Sequence, residues 1–243
     1  MIAQPAIFQK MDHNLDGILH MASEGHTAAQ YNLGICYLLG EGVNKDMVKA
    51  MEWFRKAADQ GLPEAQYNIA LGYRRGEGVE RDHAEALHWL QSAADAGYPD
   101  ALVNLGILLQ EGDSLVADMV AARNCYQEAA EAGHPVGQYN LALMFLEGTG
   151  ATQDLKKALI WFLAAARQGH APSQEAVAIA YLKGEGTTVD LEEAGVWMER
   201  AALQGLVSAQ HNLAVLYATG QGMDQNMEEA ERWKEMSQRR DAA

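Results

Sequence analysis

The sequence predicts an all-α solenoid, six helix-turn-helix repeats of 36 residues preceded by one N-terminal capping helix. Three observations carry that expectation. The stretch AQYNLGICYLLGEGVNKD at 29–46 returns as AQYNIALGYRRGEGVERD at 65–82, and the spacing continues to 241 without insertion or deletion. All five tryptophans, Trp53, Trp89, Trp161, Trp197 and Trp233, fall in a single column of that layout. Within each half-repeat the apolar residues stand at i, i+3, i+4, i+7 and i+8, which places them on one helix face. One helix pair cannot bury such a stripe alone, so neighbouring pairs stack and share a continuous core.

Residues 1–25 are expected to form the cap, since ILHMASEG at 18–25 echoes the end of a second helix with no first helix before it. The repeats then run 26–61, 62–97, 98–133, 134–169, 170–205 and 206–241. In the first, Ala29, Asn32, Leu33, Cys36 and Tyr37 mark the buried face of helix A. Gly40 stops that helix, because only glycine takes the left-handed conformation without steric penalty. Asp46 starts helix B as an N-cap, and Ala50, Trp53, Phe54, Ala57 and Ala58 form its buried face. The later units repeat the plan, with Asp82, Asp118, Asp154, Asp190 and Asn226 as caps. Pro63, Pro99, Pro135 and Pro172 stand near helix A starts, where a missing N–H costs little.

Three places depart from the plan. The third unit has Leu109 for the aromatic, Cys125 for the tryptophan and Ser114 for the second loop glycine, making it a candidate soft point or change of curvature. Gly195 lies inside helix B of the fifth unit, at a cost of about 1 kcal/mol relative to alanine. In the last helix Ser237–Gln238 replaces the alanine pair, which suits a solvated end.

Composition excludes several function classes. A net charge of −15 over 243 residues argues against nucleic acid and anionic membrane surfaces, both of which select basic faces. The longest apolar run, ALIWFLAAA at 158–166, is too short to span a bilayer. The first residues show no basic start, apolar core or cleavage site of a signal peptide. The two cysteines, Cys36 and Cys125, occupy unrelated repeat positions. They form neither a disulfide framework nor a metal cluster, so a cytoplasmic location is expected.

At this point a resemblance emerges. The pattern AQYNLGxxYxxGxGVxxDxxKAxxWxxKAAxxG is similar to the Sel-one-like repeat, a relative of the tetratricopeptide repeat, and it covers essentially all of 26–241. The resemblance implies a right-handed superhelix with a concave groove lined by helix A, and a role as a non-enzymatic adaptor or scaffold for other proteins. It carries no catalytic residues and no cofactor. Several exported relatives hold a disulfide in every repeat, and this chain does not. Penicillin-recognising activity has been suggested for some relatives, but no serine here is followed three residues later by lysine. Phosphate loops, dinucleotide fingerprints and nucleophile elbows are likewise missing from the sequence. The row His26, His134 and His170 falls in inter-repeat turns and reads as solvated turn residues rather than metal ligands.

The expected ligand is a peptide or a partner domain in the helix A groove. Candidate contacts are Tyr31, Tyr67, Leu71, Tyr139, Leu143 and His211, together with the Asn column Asn32, Asn68, Asn104, Asn140 and Asn212, which Ala176 interrupts. Aromatic and aliphatic side chains suit a protein partner, and amides can hold a peptide backbone without reading its sequence. Equally, the same residues can pack one helix A on the next, and the sequence leaves both readings open. Arg74 and Arg75 can grip an acidic segment through their guanidinium forks, or pair with Glu77 or Glu80 at home. The alternative function is a structural or regulatory subunit that contacts partners, or itself, through the convex face and the solenoid ends.

Overall fold

The computed structural model describes residues 15–111 and 117–239. Residues 1–14, Gly112 and Ser114 therefore lie outside the described residues. Thirteen helices and no strands are present among the described residues, and the fold is an all-α solenoid. The chain divides into two compact units, Met1–Ala117 and Asp118–Ala243. The first contains α1 (Leu15–Ser23), α2 (Thr27–Leu39), α3 (Met47–Asp59), α4 (Pro63–Arg75), α5 (His83–Asp95) and α6 (Pro99–Glu111). The second contains α7 (Met119–Glu131), α8 (Pro135–Glu147), α9 (Leu155–Arg167), α10 (Ala171–Lys183), α11 (Leu191–Leu203), α12 (Val207–Thr219) and α13 (Met227–Arg239).

Helices α2 to α13 each span 13 residues because the same start and stop signals recur. Gly40 adopts φ 79°, and its N–H donates to the Cys36 carbonyl, ending α2. The Asp46 carboxylate accepts from Lys49 N at 3.1 Å and opens α3. Asn226 does the same for α13, accepting from Glu228 N and Glu229 N. Those N-cap bonds, the largest influence on the group, hold the Asp46 and Asp154 carboxyls below the usual aspartate range. Backbone bonds close the intervening loop, with Asp46 N donating to Tyr37 O and Asp82 N to Tyr73 O. The aromatic column thus sits where the loop folds back.

Stacking follows from the alanine columns. In the first unit Ile18 and Ala22 of α1 pack with Ala29, Leu33 and Cys36 of α2, so the N-terminal helix covers the face that a preceding helix B would cover. In the second unit one core runs from Ala142 to Trp233 and includes Phe162, Val177, Met198 and Leu213. Paired alanines such as Ala57–Ala58 and Ala201–Ala202 are at most 2% exposed, and their small side chains let helices approach closely.

The AB loop of one repeat rests on the start of helix B of the repeat before. A Cβ on Gly222 would run into the Leu191 carbonyl, and Gly222 also holds φ 76°. Gly195 is explained in the same way, because a Cβ there would lie 3.1 Å from the Gly222 carbonyl and 2.9 Å from Met223 Cε. The helix tolerates this glycine because the loop needs the space. One expectation needs correction. Ser237 is buried, not solvated, and its hydroxyl donates to the Lys234 carbonyl at 2.7 Å. Trp233, in the same last helix, is only 3% exposed.

Candidate functional site

The helix A faces hold the residues singled out in the sequence, and many are tied to one another. In the first unit Asn68 Nδ2 donates to the Tyr31 hydroxyl at 3.2 Å, and Asn104 Nδ2 donates to the Tyr67 hydroxyl at 3.1 Å. Each bond joins one helix A to the next, so these asparagines form rungs of the stack. Arg74 joins the second rung, donating to Asn104 Oδ1 at 3.3 Å. Tyr31 also packs against Phe54 with centroids 5.5 Å apart. Burial pushes the Tyr31 phenol up to about 12, partly opposed by the Asn68 hydrogen bond, and burial raises Tyr67 as well. Both rings are neutral acceptors at physiological pH.

Tyr31, Asn32, Tyr67, Asn68 and Leu71 are buried, whereas Arg74 and Asn104 are half-buried. Arg75 is exposed and faces Glu77 at 3.8 Å. Asn68, Leu71 and Arg75 meet around one small cavity of about 30 Å³, whose lining includes Leu38, Phe54 and Glu77. In the second unit Tyr139, Asn140, Leu143 and Asn212 are half-buried and His211 is exposed. Here the rung changes chemistry. Glu175 replaces the tyrosine and accepts from Asn212 Nδ2 at 2.9 Å and from Ser208 Oγ at 2.8 Å.

Ala176 has no amide to offer Tyr139. Beside it, Leu143, Leu146, Leu159, Phe162, Ile179 and Glu185 line a cavity of about 110 Å³. This cavity and the smaller one fall at the same repeat register. Tyr139 stands against His170, with ring centroids 5.1 Å apart. Burial raises the Tyr139 phenol, with Glu175 and Glu147 adding to the shift. His170 is no solvated turn residue. Its Nδ1 lies 2.8 Å from Ser173 Oγ, and burial, followed by the charge on His134, holds it below the usual histidine value. His134 accepts from Gly137 N and caps α8. Among the described residues no group of three or more His, Cys, Asp or Glu is placed to hold a metal ion, and no helix is long and apolar enough to cross a membrane.

Two arrangements escaped the sequence reading. The first is a glutamine ladder. Gln30, Gln66, Gln138, Gln174 and Gln210 each donate to the carbonyl of an alanine eight residues earlier, at 3.1–3.4 Å. Those carbonyls belong to the end of the preceding helix B (α1 for Gln30), where intrahelical partners run out. Gln60, Gln168 and Gln204 then donate to the side-chain oxygens of Gln30, Gln138 and Gln174 at 2.7–2.8 Å. The recurring AQYN, GQYN and SQEA strings carried the signal. The second is a cluster around Arg55, whose guanidinium donates to the Tyr73 hydroxyl at 2.7 Å, lies 4.9 Å from the Trp89 ring centroid and faces Glu85 at 3.8 Å.

The sequence matches the Sel1 repeat six times over, at 27–62, 63–98, 99–134, 135–170, 171–206 and 207–236. No protein with a curated description matches. The structure is similar to that of a Sel1 repeat protein from Oxalobacter formigenes, with a TM-score of 0.80, 29% identity and coverage of 94% of this chain and 97% of that one. It is also similar to a protective antigen present in uropathogenic Escherichia coli strains that displays an SLR fold. There the TM-score is 0.89 and the identity 33%, over 93% of this chain and 49% of the antigen, so this chain spans about half of that protein's length. A Pseudomonas aeruginosa immunity protein at 20% identity and a TM-score of 0.55, over 89% of this chain and 82% of that one, shares the fold alone. With six family matches covering nearly the whole described solenoid, the chain belongs to the Sel1 repeat family.

Proposed function

We propose that the protein is a non-enzymatic scaffold that holds a peptide or a partner domain against the faces of its helix A elements. Sel1 repeat proteins are in general protein-interaction scaffolds. The observation that carries the reading to this chain is the pair of apolar openings at one repeat register, between Leu38 and Leu71 in the first unit and between Leu143 and Ile179 in the second. Each opening, within its own unit, suits an apolar side chain of a ligand. Their apolar lining with Tyr and Arg nearby matches the residues that anchor protein partners. The proposed cytoplasmic location rests on two cysteines at unrelated repeat positions.

A random peptide library displayed on phage and selected on the whole protein tests this reading. Selected peptides are expected to lose binding to the Leu143→Asp variant, to the Arg74→Ala/Arg75→Ala variant, or to both. They should keep binding to Ile160→Asp, which alters an exposed helix B residue. The reverse pattern would move the interaction to the helix B faces and favour the structural-subunit reading.

A further inference from the structure

The two openings are copies in register that differ in size and in charge. Among the substitutions that separate them are one in the lining, Asn68 against Ala176, and two that change the charge nearby. Where the first unit has Asn68 bonded to Tyr31, the second has Ala176 beside Tyr139. Where the first unit has Tyr67, the second has Glu175, and where it has Leu39, the second has Glu147. The second opening is a cavity of about 110 Å³ and the first one of about 30 Å³. The smaller volume is about that of one water molecule. The larger approaches the roughly 150 Å³ apolar cavity that admits benzene. A branched aliphatic side chain fits the larger and not the smaller. The surroundings are acidic. Glu185 lines the edge of the cavity, and Glu147 and Glu175 lie near enough to Tyr139 to act on its charge. Lys183, 3.7 Å from Glu185, is the cation beside them.

Resting on the scaffold reading above, we infer that the cavity between Leu143 and Ile179 is the specificity pocket of the protein. It takes one leucine-sized aliphatic side chain from a peptide segment flanked by lysine or arginine. The apolar wall removes the aliphatic side chain from water, which supplies most of the affinity. The carboxylates attract the flanking cations and reject an acidic competitor.

The test uses the full chain with labelled methyl groups and three acetylated, amidated pentapeptides, KKLKK, KKAKK and EELEE, followed by NMR. KKLKK is expected to shift the Leu143, Leu146 and Ile179 methyls. KKAKK should bind about tenfold or more weakly, and EELEE should not saturate. Ala176→Asn restores the residue that most repeats carry and narrows the cavity, so it is expected to fold and to weaken KKLKK by about tenfold or more. A Glu147→Gln/Glu185→Gln variant, which leaves the apolar wall intact, should weaken KKLKK as well. Equal binding of KKLKK by all three proteins, equal binding of EELEE, or shifts confined to methyls elsewhere would overturn the assignment. So would concentration-dependent shifts of the same methyls without peptide, which would identify the occupant as a second copy of this chain. Library peptides lost on Arg74→Ala/Arg75→Ala yet indifferent to Ala176→Asn would sink the pocket and leave the scaffold reading standing. Library peptides indifferent to every helix A variant would sink both.

Discussion

Ala96→Gln is expected to stabilise the protein, because it supplies a donor that the glutamine ladder lacks at one rung. Gln66 is 9% exposed, and its Oε1 is buried without a hydrogen-bond partner. At Gln30, Gln138 and Gln174 the corresponding oxygen receives a bond from a glutamine thirty positions later. For Gln66 that position is Ala96. The backbone is already suitable, with φ −79° and ψ 2° at Ala96 against φ −89° and ψ 6° at Gln60. An unsatisfied buried acceptor costs about 1–3 kcal/mol, and ordering an exposed glutamine side chain costs up to about 2 kcal/mol. The expected net gain is about 1 kcal/mol, or about 2–4 °C in Tm for a chain of this size. Urea unfolding followed by circular dichroism measures it, with native-state hydrogen exchange locating the gain in α4 and α5. Ala96→Glu is the control: equal in length, it brings an acceptor to an acceptor and should be neutral or destabilising. Equal stabilisation by glutamine and glutamate, or none by glutamine at an unchanged m-value, would refute the ladder as an energetic device.

Other expectations follow from the same contacts. Gly222→Ala should cost about 2–4 kcal/mol, combining the left-handed backbone with a clash against the fixed Leu191 carbonyl. Gly169→Ala, at φ 88° but with nothing within 4 Å of the added Cβ, should cost only about 1–2 kcal/mol, and parallel urea titrations compare the two. Arg55→Ala should cost about 1 kcal/mol by removing a half-exposed stack on Trp89 and the bond to Tyr73, read as a lower urea midpoint. His170 binds a proton less readily folded than unfolded. The unfolded chain therefore carries more protons below about pH 6.5, and stability should be full above that value and decline as pH falls through it. His170→Gln should flatten that slope in unfolding titrations between about pH 7.5 and 5.

The repeat made the architecture legible. Columns such as Gly40, Asp46 and Ala57–Ala58 each serve a local need, a helix stop, a cap or a close approach, and local needs are written in single residues. What the sequence left open was which partner a polar side chain meets. Asn68 reads from sequence as a groove amide or, in preference, as a structural residue serving a backbone carbonyl in the adjacent turn, and only the position of Tyr31 in the preceding repeat shows the rung it makes. The glutamine ladder was hidden for a related reason, since its acceptors are backbone carbonyls eight residues back and leave no mark in any column. Ser237 looked solvated by residue type, but its hydroxyl satisfies itself on the Lys234 carbonyl and so tolerates burial. The cavity between Leu143 and Ile179 is lined from two adjacent repeats, with Ala176 where most repeats carry Asn, and its volume emerges only once the neighbouring helix is placed.

The seating of four of the AB loops on the preceding helix B has a consequence for how such a chain can change length. Gly78 meets Met47, Gly150 meets Met119, Gly186 meets Leu155 and Gly222 meets Leu191 at one constant offset. Within either unit, a deletion or duplication of a whole repeat rejoins like with like, whereas any other length leaves a loop without its seat. The cavity follows a different rule, since its walls come from two adjacent repeats and are severed by a junction between them. One repeat copied lengthens the chain, while the cavity is kept only when a neighbouring pair of repeats moves together.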